Sequence, residues 1–404
     1  MEYSSLREIL NVPSLNGHSE HYAFITHFLQ NRENEQVARL FREKAFSALA
    51  GIREDKESDS IVDADLLADI AWDVPFPAPE NPEFTFIDLF AGIGGFRIPL
   101  QNLGGKCVFT SEFNPHAQRA YEMNFGEVPF GDITSLDLDM VPDHNILCAG
   151  FPCQPFSISG RLKGFEDTRG TLIYHVFEII ERRRPEVVFL ENVKHLLYHD
   201  ERRTLKVILM HLRELGYVPS VEVLNASDFG VPQNRERLII IAHRDKEFNF
   251  SKIHKQPRPI LRDFLEEEGE FEYLDEPYTI LDEMTRQKSG LIFAGYRNKA
   301  IRKAGVRPGT IHLSRVHKQP NRIYSIDGVH PALPSQESSG RFWIYDNEEV
   351  RKLTIKECYR IMGFPDEYRF IESKAELYKQ IGNSVAVPMI QAVAQQIIVQ
   401  LLDN

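Results

Sequence analysis

Cys153 lies in a proline-flanked segment, Gly150-Phe151-Pro152-Cys153-Gln154-Pro155, that follows an apolar run. Prolines on both sides restrict the backbone and fix the direction of the thiol. A cysteine is a strong nucleophile even when only a few per cent of it is ionised at neutral pH. The alternative is an inert, buried thiol, which is what we expect for Cys107, Cys148 and Cys358. No pair has the C-x-x-C spacing of a zinc site, so we expect reduced thiols and no metal.

Two further motifs place charged side chains beside predicted strands. In Leu190-Glu191-Asn192-Val193, Glu191 follows an apolar run, where a partly buried carboxyl group could have a raised pKa and donate a proton. In Gln233-Asn234-Arg235-Glu236-Arg237, residues two apart on an extended chain face the same side. Arg235 and Arg237 could therefore point into one site. A solvated carboxylate and surface salt bridges are the alternatives.

Two glycine turns could hold a cofactor. The first, Phe86-Ile87-Asp88-Leu89-Phe90-Ala91-Gly92-Ile93-Gly94-Gly95-Phe96, runs from a strand into a helix, which favours a nucleotide-like ligand, either a dinucleotide or S-adenosylmethionine (SAM). Glu112 follows where a ribose-binding carboxylate is expected, and Asp132 comes later. Either acid could instead cap a turn or a helix. The second turn, Gln380-Ile381-Gly382-Asn383-Ser384-Val385-Ala386-Val387-Pro388, offers amide and hydroxyl groups.

Short apolar runs alternate with helical stretches from Phe84 to about residue 262, a pattern typical of a mostly parallel, doubly wound α/β sheet. The predicted strands are Thr85–Leu89, Lys106–Thr110, Asn145–Ala149, Val187–Leu190, Ser220–Leu224 and Leu238–Ala242. Ligands bind beyond the carboxyl ends of strands in such sheets, so we expect the motifs to meet there. Helical patterns return at Thr354–Ile361 and Pro388–Leu402.

The length of 404 residues and an apolar content of 42% indicate a globular protein of two or three domains. The proline-rich linker Pro75-Phe76-Pro77-Ala78-Pro79 closes an N-terminal extension, residues 1–80, that we expect to be helical and whose role the sequence leaves open. The α/β domain then occupies residues 81–262. A smaller domain follows at 263–350, and helices at 351–404 return to the α/β domain.

The net charge of -12 argues against a protein that coats nucleic acid non-specifically. Residues 286–322, however, contain ten lysines and arginines and no acidic residue. This favours a surface that faces phosphate, with a solvated loop as the alternative. No apolar stretch reaches the roughly 18 residues of a membrane helix, and the N-terminus has no signal-peptide pattern, so we expect a cytoplasmic protein.

Five motifs occur in a specific order: F-x-D-L-F-A-G-x-G-G, G-F-P-C-Q, E-N-V, Q-x-R-x-R and G-N-S-V-x-x-P. With them the chain resembles the cytosine-C5 DNA methyltransferase family over residues 84–404, apart from a variable region. The resemblance implies a Rossmann-like, SAM-dependent methyltransferase fold, with a catalytic domain at 81–262 and a target-recognition domain at 263–350. It also implies methylation of carbon 5 of a cytosine that is flipped out of a specific duplex DNA sequence.

By the same resemblance, Cys153 would add covalently to carbon 6 of the base. Glu191 would act at ring nitrogen 3 and the exocyclic amine, and Arg237 would contact the carbonyl group with Arg235 nearby. No metal is required. The residues that would bind SAM are Phe90, Gly92, Gly94, Glu112, Phe113, Asp132, Ile133, Pro152, Leu172, Asn383 and Ser384. The residues that would contact DNA are Ser157, Ser159, Arg161, Arg297, Arg302, Arg307, Gln319 and Arg322.

Two alternatives stay open. A tRNA cytosine-C5 methyltransferase of the same fold is disfavoured by the long recognition region, and a catalytically silent SAM- and DNA-binding regulator by the presence of Cys153, Glu191 and both arginines. We expect a monomer in the bacterial cytosol or nucleoid that acts on double-stranded DNA, with a cognate restriction endonuclease acting separately. The target sequence is not predictable, because base-reading contacts depend on docking geometry.

Overall fold

The structure, a computed structural model, describes residues 1–10, 12, 19–55, 70–152, 172–297, 321–336 and 340–402. Its helices are α1 (Tyr3–Leu10), α2 (Ser19–Gln30), α3 (Glu35–Asp55), α4 (Arg97–Asn102), α5 (Pro115–Phe125), α6 (Leu172–Arg183), α7 (Arg203–Glu214), α8 (Ile355–Arg360), α9 (Lys374–Asn383) and α10 (Val387–Gln400). Its strands are β1 (Phe84–Leu89), β2 (Gly105–Ser111), β3 (Ile146–Gly150), β4 (Val187–Val193), β5 (Val218–Asn225), β6 (Gln233–Asn234), β7 (Glu236–His243), β8 (Tyr278–Ile280), β9 (Phe293–Arg297), β10 (Arg322–Ser325), β11 (His330–Pro331), β12 (Trp343–Asp346) and β13 (Glu349–Lys352). The strands predicted from the sequence correspond to β1 through β5 and β7, and the two predicted C-terminal helices to α8 and α10.

Six strands of the described chain form the main sheet, in the order β2-β1-β3-β4-β7-β5. The strands β2, β1, β3 and β4 are parallel, whereas β7 runs antiparallel to both of its neighbours. Since β2 and β3 lie on opposite sides of β1, the strand order reverses between the ends of β1 and β3. Open α/β sheets bind ligands at such a switch point. The predicted mostly parallel α/β fold is confirmed.

Alternate residues of the strands bury opposite faces of the main sheet. On one face, Val188 and Leu190 of β4 share a core with α6, α7 and the N-terminal helices. On the other face, Val187 and Phe189 pack with α4 and α10. Because helices cover both faces, the sheet is doubly wound and its strands are apolar on both sides, as the continuous apolar runs of the sequence indicate.

The N-terminal extension folds as helices, as predicted, and packs against the edge strand β2. Phe28 and Phe41 from α2 and α3 lie in the same core as Phe109 of β2. The amide of Phe76, in the proline-rich linker, donates to the carbonyl of Asn124 at 3.0 Å. The extension therefore shares its hydrophobic core with the main sheet.

A second sheet lies in the region of the predicted smaller domain. Within the described residues its order is β13-β12-β10-β9-β8, around a small core of Ala294, Ile323, Trp343 and Val350. Between β10 and β12 of this sheet, β11 pairs in parallel with β6. After β13 the chain continues to α10, which packs on the main sheet. Of the helices in the described ranges, none combines the length and the hydropathy needed to cross a membrane.

Candidate active site

A cavity of about 700 Å³ opens at the carboxyl ends of β1, β2, β3 and β4, and its size suits a small-molecule ligand. Thirteen of the predicted site residues line it: Phe90, Gly92, Glu112, Phe113, Asp132, Ile133, Pro152, Leu172, Glu191, Arg235, Arg237, Asn383 and Ser384. The sequence motifs therefore meet at one place, beside the switch point between β1 and β3.

The turn after β1 contains three residues with positive φ, namely Phe90, Gly92 and, with a φ of 84°, Gly94. Phe90 and Gly92 both have a φ of 56°, a conformation that glycine adopts easily and phenylalanine does not. Gly94 faces away from the ligand side, since a Cβ atom there would lie 2.3 Å from the ring of Phe125. Phe90 and Gly92 line the cavity, and Gly94 lets the turn pack closely on α5.

Glu112 is bound to two backbone amides at the rim of the cavity. Its Oε2 accepts a hydrogen bond from the amide of Gly92 at 2.8 Å, and its Oε1 accepts one from the amide of Asn114 at 2.7 Å. Burial raises the pKa of Glu112, and the amide donors oppose that shift. The ring of Phe113 stands beside it, 74% exposed. A fixed acceptor next to a free aromatic face suits a nucleoside.

Asp132 is the second acid that the sequence predicts for the cofactor site. Its Oδ1 accepts a hydrogen bond from the amide of Thr134 at 2.9 Å and so caps a short turn. The capping role that the sequence left open is therefore present, and the residue also lines the cavity together with the buried Ile133.

Glu191 and Arg237 form an ion pair in the cavity. Nε of Arg237 lies 2.8 Å from Oε1 of Glu191, with side-chain exposures of 13% and 10%. The register of β4 and β7 pairs Glu191 with Ile239 and Val193 with Arg237, so the two charged residues lie diagonally on one face of the sheet. Burial raises the pKa of Glu191, while Arg237 acts in the opposite direction. This is the partly buried carboxyl group that the sequence predicts.

Arg235 lines the same cavity, but its guanidinium group binds neighbouring backbone. Nη1 donates to the carbonyl of Leu333 at 3.2 Å, and Nη2 donates to those of Gly382 at 2.8 Å and Ser384 at 2.6 Å. Arg235 is only 1% exposed, and burial and then the charge of Arg237 lower its pKa. This placement favours a positioning role, because Arg235 joins Leu333, shortly after β11, to the second glycine turn.

The segment that leads into Cys153 is anchored to β4. Gly150 pairs with Glu191 in the register of β3 and β4, and the side-chain amide of Asn192 donates to the carbonyl of Phe151 at 2.8 Å. Asn192 is 3% exposed. The sequence analysis did not name Asn192 as a site residue, although its place inside the Glu-Asn-Val motif was a signal. It holds the chain beside Glu191 just before Cys153.

The remaining cysteines are buried, as predicted. Cys107, Cys148 and Cys358 are free thiols, and burial raises the pKa of each well above its ordinary value. A protonated, inaccessible thiol is a poor nucleophile. None of the three is therefore suited to attack a substrate.

Several predicted residues lie outside the described ranges: Cys153, Ser157, Ser159, Arg161, Arg302, Arg307 and Gln319. The described Arg297 is 9% exposed, pairs with Glu276 at 2.8 Å and lies over the ring of Trp343 at 5.3 Å. Arg322 lies over the ring of Phe293 at 5.6 Å. These contacts favour a structural role for Arg297, because Glu276, which lies outside the acid-free residues 286–322, neutralises its charge.

The cavity is also lined by residues that the sequence analysis did not name, among them Ser111, Asn114, Lys379 and Gln380. The side-chain amide of Gln380 donates to the carbonyl of His116 at 3.1 Å and so ties α9 to α5. Lys379 directly precedes the second glycine turn, and Gln380 is the first residue of that motif. Their position at its start was the signal.

The sequence family described as C-5 cytosine-specific DNA methylase matches residues 84–399. The chain is 42% identical over 323 residues to the type II methyltransferase M.HhaI of Haemophilus parahaemolyticus, covering 77% of this chain and 93% of that protein. It is 43% identical over 364 residues to the type II methyltransferase M.HpaII of Haemophilus parainfluenzae, covering 84% and 98%. The crystal structure of S. pombe Dnmt2 methyltransferase shares the fold, with a TM-score of 0.57 and 18% identity over 78% of this chain and 99% of that one. The chain therefore belongs to the C-5 cytosine-specific DNA methylase family.

Proposed function

We propose that this SAM-dependent DNA methyltransferase modifies carbon 5 of a cytosine flipped out of a specific duplex sequence, through a covalent bond between Cys153 and carbon 6. Membership of the family gives DNA cytosine-5 methylation with SAM as methyl donor. The observation that carries the finer proposal is the buried pair of Glu191 and Arg237, next to Gly150 on the strand that leads to Cys153.

The cavity residues fit SAM. The carboxylate of Glu112, fixed by the amides of Gly92 and Asn114, is placed to accept hydrogen bonds from ribose hydroxyls. Phe113 offers an aromatic face to the adenine, and Asp132 lines the same cavity. The second glycine turn supplies amide and hydroxyl groups from Asn383 and Ser384. When bound, SAM supplies an electrophilic methyl group.

A cytosine inside a duplex has to leave the base stack to reach this cavity, which costs on the order of a few kcal/mol. Carbon 5 of the free base is a weak nucleophile. In the proposed reaction the thiolate of Cys153 forms a bond to carbon 6, and the electron pair of the 5,6 double bond moves through the ring. Glu191 supplies a proton to nitrogen 3, and Arg237 stabilises negative charge on the carbonyl oxygen.

The reaction is completed when the 5,6 double bond forms again and Cys153 is released. After carbon 5 has gained the methyl group, its proton leaves to solvent, and the remaining electron pair restores the 5,6 double bond. The bond between Cys153 and carbon 6 breaks, and nitrogen 3 returns its proton to Glu191. The side chains of Cys153 and Glu191 end in the states in which they began, as catalysis requires.

Transfer of labelled methyl groups from SAM to duplex DNA, compared with tRNA, tests the substrate. We expect transfer to DNA, and transfer only to tRNA would contradict the proposal. Duplex DNA containing 5-fluorocytosine tests the covalent step, because the fluorine at carbon 5 cannot leave as a proton. The wild type should form a stable adduct and Cys153→Ser none, whereas Cys148→Ala, a change at a buried thiol, should still form it.

We further propose that the enzyme acts within a restriction-modification pair, because the relatives M.HhaI and M.HpaII are named type II methyltransferases. Bisulfite sequencing of DNA from bacteria that produce the chain would show one short sequence methylated at nearly every copy. A restriction enzyme specific for that sequence should then fail to cut this DNA. Scattered methylation without a common sequence would contradict this part of the proposal.

A further inference from the structure

Residues 126–133, here called the wall, run along the outer edge of β2 and end in the lining of the cavity. The amide of Phe130 donates to the carbonyl of Thr110 at 2.9 Å, and the amide of Glu112 donates to the carbonyl of Phe130 at 2.8 Å. The last two residues of the segment, Asp132 and Ile133, line the cavity. The position of this segment therefore determines where Glu112, Asp132 and Ile133 lie.

Helix α2 of the N-terminal extension holds this wall from outside. Oγ1 of Thr26 accepts a hydrogen bond from the amide of Val128 at 3.0 Å, and the side-chain amide of Gln30 donates to the carbonyl of Phe125 at 2.9 Å. Thr26 is fully buried and Gln30 is 6% exposed. A buried backbone group that loses its partner is costly, so both contacts fix the path of the wall.

His27 of the same helix reaches β2 itself. Its Nε2 lies 3.1 Å from the amide of Thr110, and its Nδ1 lies 2.9 Å from the carbonyl of Ala23. An imidazole that accepts at Nε2 and donates at Nδ1 is neutral, and burial lowers the pKa of His27 in agreement. His27 thus satisfies an edge-strand amide two residues before Glu112.

The ring of Phe130 is enclosed by side chains from both parts of the chain. It stacks on Phe109 of β2 with centroids 5.0 Å apart. From the N-terminal extension, the centroids of His27, Phe24 and Phe41 lie at 4.6, 5.0 and 6.0 Å. The middle of the wall therefore lies between the main sheet and the N-terminal helices.

We infer that helix α2 positions the cofactor site: it fixes residues 126–133 and the end of β2, and through them the three residues Glu112, Asp132 and Ile133. The inference rests on the proposed function, because it takes the cavity as the SAM site. It gives the N-terminal extension a role that the sequence left open. The residues that act are Thr26, His27 and Gln30.

Thr26→Val tests the inference, because it keeps the shape of the side chain and removes the acceptor of the Val128 amide. We expect the Kd of S-adenosylhomocysteine, measured by calorimetry on the full chain, to rise about fivefold or more. The KM for SAM should rise with it, while kcat at saturating SAM and the affinity for duplex DNA alone stay within about twofold. Thr26→Ser restores a hydroxyl group and should restore the Kd.

Tyr22→Phe is the matched control. It removes one buried hydroxyl group from the same helix, whose partner is the carbonyl of Leu10 at 2.8 Å, away from the cavity. We expect Tyr22→Phe and Thr26→Val to lower Tm similarly, but only Thr26→Val to weaken binding of S-adenosylhomocysteine. Equal Kd values for the two variants would overturn the inference and leave the proposed function intact. Failure of the wild type to bind S-adenosylhomocysteine would instead overturn the proposed cofactor site, and the inference with it.

Discussion

The carboxylate of Glu191 and the guanidinium group of Arg237 lie 2.8 Å apart where both side chains are almost removed from water. Burial of two charges is costly, and their mutual attraction offsets that cost only while both partners stay in place. Burial raises the pKa of Glu191 and Arg237 opposes the shift. A bound cytosine whose carbonyl oxygen attracts Arg237 weakens the effect of Arg237 on the pKa of Glu191. The arrangement therefore favours protonation of Glu191 when the substrate arrives.

Glu191→Gln keeps the size of the side chain and removes the transferable proton. We expect kcat on duplex DNA to fall by about 10² to 10⁴, the usual contribution of a general acid. The Kd of S-adenosylhomocysteine should stay within about threefold, because Glu112 and the glycine turns are unchanged. Methyl transfer at saturating SAM and DNA, together with calorimetry, measures both quantities.

Glu236→Gln is the control for this change. Glu236 is exposed and pairs with Lys194 at 2.7 Å, so its replacement should leave kcat unchanged. A rate for Glu191→Gln that matches the rate for Glu236→Gln would show that another group protonates the base.

The rate of the chemical step should depend on pH through Glu191. Only the protonated carboxyl group can donate, so the single-turnover rate should decrease as pH rises through the raised pKa of Glu191. In Glu191→Gln this decrease should disappear, while any dependence due to ionisation of Cys153 remains. Rapid-quench measurements from pH 5 to 9 on both proteins test this, and an unchanged profile in the variant would assign the decrease to another group.

Arg235→Lys should weaken both stability and cofactor binding. A lysine cannot donate to the carbonyls of Leu333, Gly382 and Ser384 at once, and each buried carbonyl left without a donor costs about 1–3 kcal/mol. We therefore expect a lower Tm and a Kd of S-adenosylhomocysteine at least about tenfold higher.

Arg244→Lys is a suitable control, because Nε of Arg244 donates to the carbonyl of Pro185 at 3.2 Å, outside the cavity. It should lower Tm only slightly and leave cofactor binding unchanged. If Arg235→Lys reduced kcat while Tm and cofactor affinity stayed at wild-type values, Arg235 would act on the cytosine directly.

The main sheet could be predicted from the sequence, because strands buried on both faces appear as continuous apolar runs. The place where the motifs meet could also be predicted, because ligands bind at the carboxyl ends of such strands. It could not separate the roles of Arg235 and Arg237. Both flank Glu236, and only the register of β4 and β7 brings one of them to Glu191. Arg235 instead donates to backbone carbonyls of residues such as Leu333 and Ser384, which lie far along the chain.

A count of charges along the chain could not reveal the partner of Arg297 for a related reason. Residues 286–322 contain no acid, yet Glu276 of the preceding segment pairs with Arg297. The contacts of the polar residues of α2 could not be predicted either, because Thr26 and His27 belong to no sequence motif. Thr26 contacts Val128, 102 residues later, and His27 contacts Thr110, 83 residues later. Only the tertiary structure brings these residues together.

Asn192→Asp should slow adduct formation without loss of cofactor binding. The amide of Asn192 donates to the carbonyl of Phe151 at 2.8 Å, and a carboxylate there repels that oxygen. We expect the adduct with 5-fluorocytosine DNA to form about tenfold more slowly, since the segment before Cys153 loses its anchor. Asn249→Asp, at an exposed turn cap where a carboxylate also serves, is the control. Equal adduct rates in the two variants would show that the contact with Phe151 is not needed.

Stability should fall as pH decreases below 6.5, because His144 and His330, like His27, are buried in the neutral state. Burial lowers the pKa of His144 and of His330 to about 4. Between pH 6.5 and 4 the unfolded chain binds protons that the folded chain does not. The stabilisation is therefore complete above pH 6.5 and is lost as pH falls towards 4, by up to about 3 kcal/mol for each histidine.

Urea unfolding of His330→Gln, compared with wild type, isolates one of these contributions. The variant should be less stable at pH 7, because a buried side chain has been changed, but its stability should decrease less between pH 7 and pH 5. His254→Gln, a change at an exposed site, should keep the wild-type pH dependence. Carboxylates affect the stability of all three proteins equally in this pH range. The difference between wild type and His330→Gln in the slope of stability against pH is therefore the contribution of His330 alone. Parallel slopes for His330→Gln and wild type would show that His330 is protonated equally in the folded and unfolded states.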